Sequence, residues 1–181
     1  MKNTKNLIIG LVFLFGMFIL FISTIEVPED SDAELEKVED NDLNIDYNKE
    51  LENIINTEKT KTEKMDEVYY LAKTHSNNLT QDEANNYLEE TVSDYKSGAL
   101  KDNLNNDDYA VRIMFKVQAA RKALENDFKE SENQKSYEKA NVLIDFEQII
   151  KYIYREVDDW DSESTISNID QIEDGLVEIG M

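Results

Sequence analysis

The clearest candidate for chemistry is a set of oxygen-bearing side chains at alternate positions: Asp40, Asp42, Asn44, Asp46 and Asn48. Alternate residues of a loop can turn their oxygens toward one hard cation, as the ligands of an EF-hand calcium loop do. The pattern departs from that loop where Ile45 stands in place of glycine and Leu51 in place of a bidentate glutamate. It therefore predicts a solvated acidic linker, and a weak calcium site is the alternative.

Residues suited to nucleophilic catalysis are scarce. The chain has no cysteine and a single histidine, His75, so a nucleophile paired with its base and a di-metal site built on Glu-x-x-His both lack essential residues. The 40 acidic residues supply so many carboxylate pairs that no pair stands out as that of a glycosidase. His75 falls at the predicted end of a helix, where a cation is stabilising. The sequence thus predicts a non-enzymatic protein with no catalytic residue and no cofactor.

An uncharged apolar segment, residues 7–25, determines where the remaining side chains would act. As a helix rising about 1.5 Å per residue it is roughly 28 Å long, which is close to the hydrocarbon thickness of a bilayer. It is longer than the core of a signal peptide, and no small-x-small cleavage site follows it. We expect an uncleaved transmembrane anchor that contacts the lipid bilayer. The alternative is a cleaved signal peptide and a secreted protein.

The charges beside the anchor predict its orientation. Lys2 and Lys5 precede it, whereas Glu26, Glu29 and Asp30 follow it, so the positive-inside rule puts residues 1–6 in the cytoplasm and the rest of the chain outside.

The formal net charge of −21 also disfavours nucleic acid and anionic lipid surfaces as partners, because both are polyanions.

Acidic residues are concentrated in two flanks. Residues 26–46 carry ten acids and one base and contain the only proline, which indicates an extended linker. Residues 158–181 contain no base and show a short apolar pattern after Ser164: Ile166, Ile169, Ile172 and then Leu176 or Val177. This pattern predicts a short C-terminal helix. The more balanced residues 47–157 are the predicted folded domain.

Helical periodicity runs through that domain, and few glycines or prolines interrupt it. The first predicted helix spans residues 47–74, with a polar stretch at 57–62 that could divide it into two pieces. Its predicted apolar face is the following: Leu51, Ile54, Ile55, Met65, Val68, Tyr69 and Ala72. The second begins at the capping box of Thr80 and Glu83, is interrupted at Gly98 and ends near Leu104.

The third predicted helix follows the polar residues 105–108 and extends to about Lys129. Its apolar face is the following: Ile113, Met114, Val117, Ala120, Ala123, Leu124 and Phe128. The fourth begins after residues 130–134, with these apolar positions: Tyr137, Ala140, Leu143, Ile144, Ile150, Ile153, Tyr154 and Val157. Short polar connections between long helices predict antiparallel neighbours.

The fold class expected from the sequence is therefore all-α: a transmembrane helix followed by an antiparallel bundle of about four long helices and a short C-terminal helix. Two hypotheses for function belong to different classes. The first is a non-enzymatic interaction or structural module that binds an unidentified envelope protein. The second is an extracytoplasmic sensor domain that binds a ligand or cation between its helices, for which a pocket lined by tyrosine and a few polar groups would be the sign.

Overall fold

The computed structural model describes residues 45–181, and its regular structure in that range is entirely helical. The seven helices of this range are α1 (Tyr47–Ile55), α2 (Lys61–Ser76), α3 (Gln81–Ser97), α4 (Ala99–Asn103), α5 (Asp107–Ser131), α6 (Gln134–Tyr154) and α7 (Glu163–Ile179). The predicted all-helical class and helical bundle are confirmed for the described residues. The predicted anchor, residues 7–25, lies outside them, and no helix within residues 45–181 has the length and apolar character needed to cross a bilayer.

The first predicted helix is divided into α1 and α2, the second of the two alternatives. Thr60 begins α2 with a complete capping box, since its hydroxyl accepts from the Glu63 N–H and the Glu63 carboxylate accepts from the Thr60 N–H at 2.9 Å. These bonds satisfy backbone donors of the first turn and so favour a new helix start at this point. The same Thr-x-x-Glu pattern at Thr80 and Glu83 begins α3, as predicted.

Gly98 ends α3 with a φ of +83°, in the left-handed region that glycine adopts at little steric cost. The chain then forms the short helix α4, and the side chains of Leu100 and Leu104 are both buried. The predicted interruption at Gly98 and the predicted end near Leu104 are therefore both present.

Helix α5 is the centre of the arrangement and contacts α1, α2, α3 and α6. Its predicted face is buried except for Ala123 and Phe128, which are only partly buried. Five further residues outside that face are also buried: Ala110, Val111, Phe115, Gln118 and Ala119. The predicted one-sided face is thus too narrow, because a helix surrounded by neighbours buries most of its circumference.

Helix α6 runs antiparallel to α5, because only residues 132–133 connect them. A hydrogen bond between opposite ends of the two helices confirms that they are antiparallel: Asp107 at the start of α5 accepts from the Tyr154 hydroxyl at the end of α6, at 3.0 Å. Tyr137 and Val157, predicted on the apolar face, are 45% and 64% exposed. The predicted apolar face is therefore wrong at both positions: Tyr137 faces solvent near the start of α6, and Val157 lies beyond the end of the helix.

Helix α6 buries a second side that the sequence analysis did not predict. It comprises Val142, Phe146 and Ile149. Helix α7 packs along α6 and buries Ile172 and Leu176. A helix placed between two neighbours needs apolar residues on two faces, so the added side follows from the docking of α7.

Helix α7 is 17 residues long and is thus longer than the short helix predicted. Its N-cap is Ser162, not Ser164: the Ser162 hydroxyl accepts from the backbone N–H of Thr165. Ile166 is exposed, contrary to the predicted pattern, and of the two alternatives at the end of the pattern Leu176 is buried and Val177 is exposed.

Gly175 faces α6 at close range. A Cβ atom added at Gly175 would lie 2.7 Å from Cγ2 of Val142, so only glycine fits at this crossing without displacing a neighbour. The close approach directs the side of α7 that carries Ile172 and Leu176 toward α6. It therefore leaves Val177 in solvent.

Candidate binding site

Two adjacent tyrosines project from helix α2. Val68 and Ala72 are fully buried, and because successive residues of a helix differ by about 100°, Tyr69 lies to the side of that buried face and Tyr70 on the far side of the helix. Tyr69 is 36% exposed and Tyr70 is 68% exposed. Their ring centroids are 5.6 Å apart in an edge-to-face arrangement. Tyr69, which the sequence placed on the buried face, instead lies at its margin.

A cleft opens beside these tyrosines, between α2, α5 and α6. It has a volume of about 360 Å³ and is lined by Met65, Asp66, Tyr69, Tyr70, Gln118, Glu147 and Lys151. A larger depression of about 500 Å³ lies between α1 and α2, and Tyr70 also borders it. Tyr70 therefore borders both the cleft and the larger depression. Of these two, the cleft contains a buried polar side chain, that of Gln118.

The polar part of the cleft comes from α5 and α6. Gln118 is only 5% exposed, and its Nε2 donates a hydrogen bond to Glu147 Oε1 at 3.1 Å. Arg121 Nε lies 2.8 Å from Glu147 Oε2, an ion pair that lacks hydrogen-bond alignment. The carboxylate of Glu147 is thus held in place by a neighbour at each oxygen.

The amide oxygen of Gln118 is the unsatisfied group of this site. Oε1 is buried and has no hydrogen-bond partner among residues 45–181. A buried acceptor left without a partner costs about 1–3 kcal/mol, so native structures keep such groups rarely. Gln118 lines the cleft, so a shift of its amide toward the cleft would let a hydrogen-bond donor there recover this loss.

Opposite charges flank the cleft. Asp66 belongs to α2 and is exposed, while Lys151 belongs to α6 and is half-buried. Within the described part of the chain neither of them forms an ion pair. One carboxylate and one ammonium are therefore available to a bound molecule.

His75 belongs to a separate aromatic cluster. Its ring stacks on Phe115 with centroids 5.1 Å apart, the Tyr47 ring lies 4.3 Å away, and Nε2 lies 3.2 Å from the Tyr87 hydroxyl. Nδ1 is buried and lacks a partner within the described range. Burial lowers the pKa of His75, and the charge of Glu83 opposes this only in part. The predicted cation at the helix end is thus a neutral packing group at neutral pH.

A buried lysine joins three helices at the other end of α2. Lys64 Nζ lies 2.5 Å from Asp107 Oδ2 and 2.9 Å from the carbonyl oxygen of Ile55, and the Tyr154 hydroxyl binds the other oxygen of Asp107. The hydrogen bond from Lys64 lowers the pKa of Asp107. Asp107 also begins α5, where the helix dipole favours a negative charge. This network therefore stabilises the packing of α1, α2, α5 and α6.

The candidate calcium pattern falls only in part within the described residues. Asp46 caps α1 by accepting from the Lys49 N–H at 3.2 Å, and Asn48 is exposed in the first turn of that helix. Asp40, Asp42 and Asn44 lie outside residues 45–181. In that range no group of three or more His, Cys, Asp or Glu side chains is arranged to hold a metal ion. The acidic linker stays the prediction, and the weak calcium site stays its alternative.

The cleft beside Tyr69 and Tyr70 is the arrangement with the clearest capacity to bind another molecule. The two tyrosines of this site can be noticed in the sequence because they are adjacent. Gln118 cannot be recognised there as a site residue, because it resembles any polar residue of a helix surface. No protein-family model, no curated protein and no solved structure matches this chain.

Proposed function

We propose that this chain is a membrane-anchored, extracytoplasmic helical domain that acts as a non-enzymatic interaction module in the cell envelope. The observation that carries the proposal is the exposed pair Tyr69 and Tyr70 beside a cleft. Tyrosine is enriched at the centre of protein interfaces, because its ring supplies a large apolar area and its hydroxyl a polar contact. A partner that covers both rings would remove that area from water.

The charge of the chain defines the chemistry of this partner. A net charge of −21 creates a negative field that accelerates association with a positively charged surface and opposes association with a negative one. The partner is therefore an envelope protein with a basic surface around an apolar depression. Residues 7–25 hold the domain at the membrane in this proposal, and residues 26–46 extend it from the surface.

The experiment is mild crosslinking of native membranes followed by purification of this chain. We expect the chain to remain in the membrane fraction after an alkaline carbonate wash and one protein partner to purify with it. The double substitution Tyr69→Ser and Tyr70→Ser should abolish recovery of that partner, since it removes both exposed rings. The thermal melt should change little, because these rings are outside the core.

The matched control is the pair Tyr137→Ser and Tyr152→Ser on α6, whose side chains are 45% and 37% exposed. This control removes the same chemical groups from a different surface and should leave the partner in place. Equal loss in both variants, or a chain released by the carbonate wash, would refute the proposal.

A second candidate function is favoured by one specific observation, the unpartnered Oε1 of Gln118 in the cleft. The domain would then be an extracytoplasmic sensor that binds a small ligand between α2, α5 and α6. Ligand contacts to three helices at once would alter their packing and thereby the surface presented to a partner.

A further inference from the structure

We infer that the cleft between α2, α5 and α6 binds a small zwitterion, a molecule of amino-acid size that carries one amine and one carboxylate. This inference rests on the second candidate function, ligand binding at the same cleft. The volume of about 360 Å³ lies at the lower end of the range for ligand pockets, about 300–1,000 Å³. A small molecule fits this space better than a nucleotide or a large cofactor.

The amine is assigned to the side of the cleft that Gln118 and Glu147 line, where a shift of the Gln118 amide presents its oxygen to the ligand. Gln118 Oε1 is a buried acceptor without a partner, and its Nε2 is already committed to Glu147. An ammonium group donates three hydrogen bonds and accepts none, so it suits an amide oxygen beside a carboxylate. A ligand carboxylate at this position would instead meet the like charge of Glu147.

The carboxylate is assigned to Lys151. This side chain lines the cleft and forms no ion pair among residues 45–181. Lys151 and Glu147 are four residues apart on α6, so their side chains are neighbours on one face of the helix. A zwitterion with its amine toward Gln118 and its carboxylate toward Lys151 can therefore lie along this face.

Asp66 and the apolar lining restrict the ligand further. A ligand with two negative charges is disfavoured because it would be repelled by the carboxylate of Asp66 on the opposite helix. A ligand with only a positive charge is disfavoured because it would be repelled by Lys151. Met65 and the ring of Tyr69 supply apolar surface for a ligand side chain. The lining thus favours a zwitterion with an apolar side chain over a purely ionic molecule.

The test is calorimetric titration of the full chain in detergent with each of the free L-amino acids. We expect one or a few apolar or aromatic amino acids to bind at a single site with a Kd below about 1 mM, an affinity that a few contacts of this kind supply. Lys151→Gln should weaken that binding by about tenfold or more, the effect of losing one charged hydrogen bond.

Two further variants control for folding. Lys135→Gln makes the same change on an exposed part of α6 away from the cleft and should leave the affinity unchanged. Gln118→Met removes the buried acceptor while keeping the volume of the side chain and should also weaken binding. If Gln118→Met failed to fold, the comparison of Lys151→Gln with Lys135→Gln would still decide the matter.

Derivatives of a binding amino acid test whether the ligand must be a zwitterion, separately from whether the cleft binds a ligand at all. The methyl ester of a binding amino acid lacks the carboxylate and its N-acetyl form lacks the ammonium, so both should bind at least about tenfold more weakly. Equal binding of either derivative would overturn the zwitterion while leaving ligand binding intact. No binding of any amino acid, or equal affinities of Lys151→Gln and Lys135→Gln, would overturn the inference. Neither result refutes the second candidate function, which requires only that some small ligand binds in the cleft.

Discussion

Single residues determine which polar groups are available in this domain. Gln118 is buried between Val117 and Ala119, yet a glutamine in an amphipathic helix ordinarily indicates the solvent side, so its position could not be predicted from the sequence. Tyr69 was assigned to the correct helix but to the wrong side of the boundary between core and solvent. Burial of a polar residue depends on how many neighbours surround its helix, and this information is absent from local periodicity.

His75 provides a prediction at the same scale. Its pKa is lowered in the folded protein by burial, whereas in the unfolded chain it is about 6.5. The neutral ring therefore contributes stability that is fully present above pH 6.5 and is lost as the pH falls toward the folded pKa. We expect acidification from pH 7.5 to 5.5 to lower the free energy of unfolding through this group, by at most about 1.4 kcal/mol per pH unit.

Urea unfolding at a series of pH values measures this effect. The variant His75→Phe keeps an aromatic ring against Phe115 and removes the titrating group, so its stability should lack this part of the pH dependence. The numerous carboxylates titrate in both proteins and cancel in the comparison. Identical pH profiles for the two proteins would show that His75 is not perturbed by burial.

Helices were predicted well where the sequence contains explicit start and stop signals. The capping box at Thr80 and the break at Gly98 set α3 as expected, and the same signal at Thr60 begins α2. The faces of α5 and α6 were predicted less completely, because each is buried on more than one side. The orientation of α7 depends on Gly175, whose role arises only from its distance to Val142 on another helix.

The contact between α6 and α7 leads to a prediction about Gly175→Ala. Helix propensity alone would make this substitution stabilising by about 1 kcal/mol. The added Cβ, however, would lie 2.7 Å from Val142 Cγ2, and valine has little rotamer freedom in a helix. Overpacking typically costs about 1–3 kcal/mol, so we expect a net loss of about 1 kcal/mol, measured by chemical denaturation.

The background Val142→Ala is the matched test of that explanation. With the Cγ2 atom removed, Gly175→Ala should become neutral or stabilising, and the double-mutant cycle should give a coupling of about 1 kcal/mol or more. Additive effects of the two substitutions would mean that the helices do not approach each other at this point.

At the scale of the whole molecule, the charge distribution is the dominant property. The sequence separates a nearly balanced segment from two acidic flanks, and part of the C-terminal flank forms α7 against α6. Carboxylates of both helices border the groove between them, including Asp145, whose pKa is raised by burial. The net charge of −21 therefore opposes association with other acidic proteins. The tyrosine pair and its cleft combine rings with both signs of charge, which makes them the proposed contact surface.

Site-specific photocrosslinking in native cells tests this central claim most directly. A photoreactive phenylalanine analogue replaces Tyr70 in one protein and Tyr137 in another, both of which are exposed positions. We predict one stoichiometric protein adduct from position 70 and none from position 137. No adduct from position 70, or the same adducts from both positions, would contradict the assignment of the α2 tyrosines as the binding surface.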